Sequence, residues 1–247
     1  MPLVKEFDGL TAIVTGAGSG IGLATARLLN NSGAKVYGFD ISEGEMTGIA
    51  TWVRCDISDS DSVEKAFKGI TSLDILINNA GIGAAGSVED AKDEEWLKVL
   101  NINVVGLARV SRNAIPLLRK SKSAAIVNTC SVAAIVGIPK RAIYTASKGA
   151  VLSLTLAMAA DHLADGIRVN CVNPGTADTP WVSRLLANAA DATAERKALE
   201  ARQPHGRLVS PEEVAQAICF LASPSQGSTT GTTLNIDGGL HGIRIPK

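Results

Sequence analysis

Residues 11–22 read Thr11-Ala12-Ile13-Val14-Thr15-Gly16-Ala17-Gly18-Ser19-Gly20-Ile21-Gly22. The first five are β-branched or apolar and predict a buried strand. The glycines that follow allow a tight turn and let the backbone come close to a ligand. Residues 21–31 then have helical spacing, ended by Gly33. Such a turn offers an anion the free N–H groups and positive dipole end of a helix, and a pyrophosphate is the anion it suits. The spacing is Gly16-x3-Gly20-x-Gly22 rather than GxGxxG; Ile21 stands where that pattern's last glycine would fall. The strand before the turn and the helix after it make the loop informative.

Outward from this turn the chain keeps the same rhythm. Strands are expected over 35–40, 51–55, 73–78, 124–129, 167–172 and 232–236. Helices are expected over 58–68 with Ser58 as cap, over 93–119 around Gly106, over 142–163 and over 211–221. Alternation of this kind means βαβ units and a parallel sheet. Strands apolar on both faces are those covered by helices on both sides. The expected fold class is therefore α/β, a doubly wound parallel sheet in one domain over 1–247. The one interruption, 179–203, is Ala-rich with scattered charge. It falls beside the C-terminal edge of the sheet, where such folds bind ligands, and is expected to be a mobile substrate lid.

Composition narrows the function. The 247 residues are 46% hydrophobic and 19% charged, which excludes an intrinsically disordered chain. A domain of this size buries about three-quarters of its unfolded surface, so no staple is needed. Lys+Arg (24) equals Asp+Glu (24), which argues against a nucleic-acid or membrane-surface partner held by bulk charge. Cys55, Cys130, Cys171 and Cys219 form no CxxC pair, and His162, His205 and His241 have no ligand spacing, so no metal is expected. Reduced, buried thiols and the absence of a signal peptide at 1–10 point to a cytoplasmic protein. The longest apolar stretch, 150–160, stops at Asp161 and is too short to span a bilayer.

Asp40 ends the second strand, eighteen positions after Gly22. An acid there accepts hydrogen bonds from the adenine-ribose hydroxyls of NAD and repels the 2′-phosphate of NADP. Ile41 and Ser42 follow it and Ser19 is uncharged, so no guanidinium or ammonium is at hand for a phosphate. NAD is the expected cofactor. Tyr144 and Lys148 are one helical turn apart on one face. An ammonium beside a phenol favours the phenolate, and such a pair suits proton transfer with an alcohol or carbonyl. Ser131, after the fifth strand, supplies a hydroxyl able to bond the reacting oxygen.

The glycine turn, Asn78-Asn79-Ala80-Gly81, Asn103, Ser131, Tyr144-x3-Lys148 and Pro174-Gly175 occur in that order. The set resembles the short-chain dehydrogenase/reductase family over nearly the whole chain. The resemblance implies a Rossmann-type seven-stranded sheet, helices on both faces, and hydride transfer at C4 of a nicotinamide. It implies Tyr144 as acid/base, Lys148 favouring its phenolate and binding the nicotinamide ribose, Ser131 positioning the substrate oxygen, and Asn103 holding a relay water. Gly16, Ser19, Gly20, Ile21 and Gly22 would hold the pyrophosphate, and Asp40 the ribose. Asp56 and Ile57 would border the adenine. Asn79, Ala80 and Gly81 would border the cofactor, with Pro174, Gly175 and Thr179 at the nicotinamide. A homotetramer with two-fold symmetry is also implied, helped by apolar residues of the last helix and strand and by the tail 241–247.

For the substrate the chain offers Arg141, three residues before Tyr144, and Arg184 and Arg202 in the lid. Arginine grips carboxylates in fork geometry. The words at 173–179 (NPGTADT), Arg202-Gln203 and Gly206-Arg207 resemble the branch holding cytosolic 3-hydroxybutyrate and 2-keto-3-deoxy-L-fuconate dehydrogenases. Arg141 and Arg202 match that branch by spacing, and Arg184 lies one residue away. Trp181 departs from it, with an indole able to stack on a sugar-like face or to cap the pocket. The expected reaction is NAD-dependent oxidation of a small hydroxy acid or sugar acid. Two alternatives stand beside it: a neutral L-fucose-like aldose as substrate, and a non-catalytic NAD-binding scaffold, which would show a broken Ser, Tyr or Lys.

Overall fold

A computed structural model describes residues 5–187 and 189–244. β1 (Thr11–Thr15) is buried along its whole length. Its neighbours are β2 (Lys35–Asp40) on one side and β4 (Ile75–Asn78) on the other, both parallel to it. With β3 (Thr51–Arg54), β5 (Ala125–Thr129), β6 (Arg168–Pro174) and β7 (Thr233–Ile236), the sheet runs β3-β2-β1-β4-β5-β6-β7. The remaining pairs are parallel as well. The order reverses between β1 and β4, and ligands of such sheets lie outside the strand C-termini at that point.

Alternation along the strands feeds two cores. Ala12, Val14, Ile75, Ile77, Val127 and Val172 face α1 (Gly20–Asn31) and α8 (Pro211–Ala222). Ile13, Leu76, Ile126 and Val169 face α2 (Ser60–Phe67), α4 (Leu107–Leu118) and α5 (Ala142–Asp161). The doubly wound expectation is thus met. The four cysteines are buried and form no disulfide, and burial pushes the Cys55 and Cys219 thiols up to about 12.

Several local expectations change. Ser58 does not cap α2; Asp59 does, its carboxylate accepting from Asp61 N at 3.0 Å. The Ser58 hydroxyl instead donates to Asp56 Oδ1 at 2.6 Å. The helix expected over 93–119 is α3 (Asp93–Leu100), a π-helical turn (Asn101–Gly106) and α4, with Pro116 inside α4 rather than at its end. The apolar stretch at 150–160 belongs to the 20-residue α5, long and apolar enough to cross a membrane by length and composition alone. Its buried side chains, among them Ile143, Val151 and Met158, are part of the protein core. The segment 179–203 contains α6 (Pro180–Ala187) and α7 (Ala192–Ala201), which with Leu208 enclose a small core of Val182 and Leu199. Of the tail 241–247, residues 245–247 lie outside the described residues.

α8 is fixed at both ends. Ser210 and Glu213 form a reciprocal capping box before it, with Pro211 in its first turn. The buried Arg168 guanidinium donates to Leu221 O, Ala222 O and Ser223 O at its far end. Arg207 grips both Glu213 oxygens at 2.8 and 2.7 Å. Arg207 first, and then the Ser210 N–H, hold the Glu213 carboxyl down at about 2. A depressed folded-state value means stability that is present above the unfolded carboxyl range and lost as pH falls toward 2. Glu213→Gln is expected to lower the melting temperature by about 2–4 °C at neutral pH. In thermal melts against pH, the gap between variant and wild type should close between the ordinary value of 4.5 and about 2.

Candidate active site

The site begins where β1 and β4 end. The Thr15 hydroxyl accepts from Asn79 N at 2.9 Å and Ala80 N at 3.0 Å. Asn79 Nδ2 returns to Thr15 O at 3.1 Å and Gly16 O at 3.3 Å. Gly16 (φ 65°) and Gly20 (φ 55°) take the left-handed conformation that the turn needs. A Cβ on Gly22 would stand 2.1 Å from Gly16 O. No side chain caps α1 and no acid lies in its first turn. These amides are therefore open to an anion, and the turn fits a dinucleotide pyrophosphate.

Asp40 leans onto the same turn: Oδ2 accepts from Gly18 N at 2.9 Å and Oδ1 from Ser42 N at 3.3 Å. The connection after β2 folds back with it. Glu45 N donates to Gly18 O at 3.1 Å, Gly44 is left-handed at φ 56°, and the fully buried Met46 fills the hollow over Gly38. Sequence reasoning missed this strap, because Met46 and Gly38 are joined only by packing. The Asp56–Ile57 bend is held by Arg109, which donates to Ile57 O at 3.1 Å and Asn101 Oδ1 at 2.7 Å. A Cβ on Gly106 would stand 3.0 Å from Ile57.

The π-helical turn presents Asn103, a position where single π turns often mark function. Its Oδ1 accepts from Ile82 N at 2.8 Å, and its Nδ2 donates to Ile82 O at 2.9 Å and Ser147 Oγ at 3.0 Å. A Cβ on Gly81 would lie 3.0 Å from Asn103 Oδ1 and 3.8 Å from Lys148 Nζ, so the three meet. Lys148 is buried, its Nζ donates to Thr129 O at 2.8 Å, and it lies 5.8 Å from the Tyr144 ring centre. Ser131 starts a short 3-10 turn (Val132–Ala134), its oxygen accepting from Ala133 N at 3.2 Å. The Cys130 thiol between them donates to Lys148 O at 3.0 Å. The neighbouring Cys171 sulfur and burial push Cys130 up, which keeps it a donor.

The mouth is built from three loops. Thr179 touches the glycine turn: a Cβ on Gly20 would lie 3.3 Å from its methyl. Beside Pro174, a Cβ on Gly175 would meet Gln203 Oε1 at 2.2 Å. Gln203, buried, ties the end of α7 by donating to Thr176 O and Arg207 O, a role the Arg202-Gln203 word did not suggest. Arg141 donates to Ala84 O at 3.1 Å, with its guanidinium carbon 5.7 Å from the Trp181 ring centre. Burial, and next the charge of Arg202, pull Arg141 below the usual guanidinium range, against Tyr144 and Glu195. The charges of Arg202, Tyr144 and Glu195 thus all reach Arg141, while Arg202 at the end of α7 and Arg184 on α6 are both exposed.

Gly22→Ala tests the turn. The added methyl is expected to lower dinucleotide affinity at least about tenfold with the circular dichroism spectrum retained. Calorimetric titration with NADH reads the change, and wild-type affinity would contradict the turn's proposed part.

Residues 16–241 match the family described as Enoyl-(Acyl carrier protein) reductase. The chain is 41% identical to cis-4-hydroxycyclohexanecarboxylate dehydrogenase of Sinomonas cyclohexanicum, over 97% of this chain and 99% of that one. It is 37% identical to meso-2,3-butanediol dehydrogenase of Serratia marcescens, over 95% of each. The ligand-free aldohexose dehydrogenase of Thermoplasma acidophilum superposes with a TM-score of 0.90 at 34% identity, over 99% of this chain and 100% of that one. With relatives alike over 97% of the chain and a family match over residues 16–241, it belongs to the short-chain dehydrogenase/reductase family of oxidoreductases.

Proposed function

We propose that the protein is an NAD-dependent dehydrogenase acting on the secondary alcohol, or the matching ketone, of a small hydroxy acid. The observation that carries the acid is Arg141, fixed by Ala84 O and set against Trp181 three residues before Tyr144, with the like charge of Arg202 reaching it. Such a pair suits a carboxylate, which relieves the repulsion and takes charge-assisted bonds. A relative whose name carries both an alcohol and a carboxylate supports the same reading. The full set Asn103, Ser131, Tyr144 and Lys148 speaks against a scaffold.

The nicotinamide, when bound, accepts or returns a hydride at C4. The chain's own residues handle the proton and the geometry. Tyr144 takes the alcohol proton, or gives one to the ketone. Lys148, bonded to Thr129 O, stands 5.8 Å from the Tyr144 ring centre and would bind the nicotinamide ribose. Ser131 holds the reacting oxygen. Both Asn103 amide hydrogens are taken within the protein, so a relay water meets Oδ1 or the backbone.

NAD is favoured by Asp40, whose carboxylate lies on the Gly18 amide beside the pyrophosphate turn. The adenine side would be bordered by Asp56 and Ile57, and the nicotinamide side by Gly175 and Thr179. We place the enzyme in the cytoplasm as a homotetramer, supported by exposed Leu97, Val105, Leu156 and Phe220; mass photometry at a monomer mass would refute the assembly.

Arg141→Ala and Arg202→Ala should each raise KM for 3-hydroxybutyrate or cis-4-hydroxycyclohexanecarboxylate by about 10- to 100-fold. KM for meso-2,3-butanediol should not move. Unchanged acid kinetics in both variants would instead support a neutral sugar or diol, the chemistry named in the other two relatives. A kinetic preference for NADP over NAD would overturn the cofactor reading.

A further inference from the structure

The loop after β4 runs Ile82-Gly83-Ala84-Ala85-Gly86, from the Asn103 contact to the Arg141 contact. Gly83 is not left-handed, so its φ sets no requirement for glycine. What demands glycine is space. A Cβ there would lie 2.6 Å from Cζ2, 2.8 Å from Cε2 and 3.0 Å from Nε1 of Trp181. One indole therefore occupies the volume of a position-83 side chain.

Trp181 arrives from the other side of the mouth, in the first turn of α6 and two residues past Thr179. A third side is Arg141, set against the same indole and bonded to Ala84 O, the residue after Gly83. Arg141 cannot move freely. Lys140 before it is left-handed at φ 55°, a costly conformation for a side-chain residue. Gly86 brackets it, donating to Lys140 O at 2.9 Å and accepting from Ala142 N at 3.1 Å. The loop and the arginine are a rigid frame, and Trp181, with 39% of its surface exposed, is the variable part resting on it.

We propose that Gly83 and Trp181 are a complementary pair that sets substrate size. The glycine makes room for the indole, and the indole walls the seat beside Tyr144 and Arg141, so that a short aliphatic or single-ring hydroxy acid fits and a bulkier one does not. The ligand class rests on the acid reading above; the pairing of the two residues does not.

A two-by-two cycle tests the pair: Trp181→Ala, Gly83→Leu and both together, in the full-length enzyme. Trp181→Ala should raise KM for cis-4-hydroxycyclohexanecarboxylate by about tenfold with kcat held within about threefold, and should admit mandelate. Gly83→Leu should also raise that KM, and should expose the indole to acrylamide quenching. The double variant should recover KM to within about threefold of wild type, because the leucine refills the space the indole left. A merely structural role gives additive losses and no recovery. NADH affinity, from its fluorescence, should stay constant in all three. A double variant no better than Trp181→Ala, or single variants with unchanged KM, overturns the pair. If Gly83→Leu does not fold, Gly83→Ala against Trp181→Phe runs the same cycle. If the acid reading fails, meso-2,3-butanediol replaces the acid in the cycle, and the quenching change is read without any substrate.

Discussion

The close approach of two backbones, the glycine turn after β1 and the Asn79-Ala80 pair after β4, is the constraint on which the site rests. A Cβ at Gly16 would stand 2.9 Å from Ala80 Cα, so the turn tolerates no side chain there. One hydroxyl, Thr15, closes the gap by accepting from two consecutive amides. From that junction the chain leads on to Gly81, which is tight against Asn103 and Lys148, and so to Tyr144. The glycine turn and the residues proposed to transfer the proton are thereby joined by direct contacts at the switch point of the sheet.

Charge is distributed to the same end. The chain as a whole is neutral, yet Lys148 and Arg141 are each bonded to a main-chain carbonyl, Thr129 O and Ala84 O. A carbonyl orients a cation without neutralising it, so both keep their field for an anion. Elsewhere arginine meets acid, as in the Arg207–Glu213 fork that secures α8. Carbonyl bonding alone does not mark a site cation, since Arg168 secures the end of α8 through three carbonyls; Lys148 and Arg141 differ in lying against Tyr144 and Trp181.

Much of this was legible in the residues. The turn, the strand rhythm and the order of Asn103, Ser131, Tyr144 and Lys148 are local words; the strand order is the doubly wound one expected, and Asn103, Lys148 and the Tyr144 ring lie close to one another. Local chemistry misled where two adjacent residues compete, as when Asp59 took the cap expected of Ser58, and at Pro116, which lies inside α4. The π-helical turn was invisible because Asn101–Gly106 keeps an apolar spacing compatible with an unbroken helix. The Met46 strap and the hollow at Gly83 left no trace, since each joins a glycine to a side chain of another segment through packing, and the Gln203 tie bonds main-chain carbonyls, which carry no residue-type signal. Glycines in ordinary backbone conformations, such as Gly38 and Gly83, carry that information only once the neighbour is seen.

The central claim is that a phenol and an ammonium one helical turn apart move the proton at a seated nicotinamide. Tyr144→Phe, followed under single-turnover conditions with NADH titration alongside, addresses it directly. The account predicts a loss of about 10²- to 10⁴-fold in the chemical step with dinucleotide affinity unchanged. Turnover at the wild-type rate would contradict it.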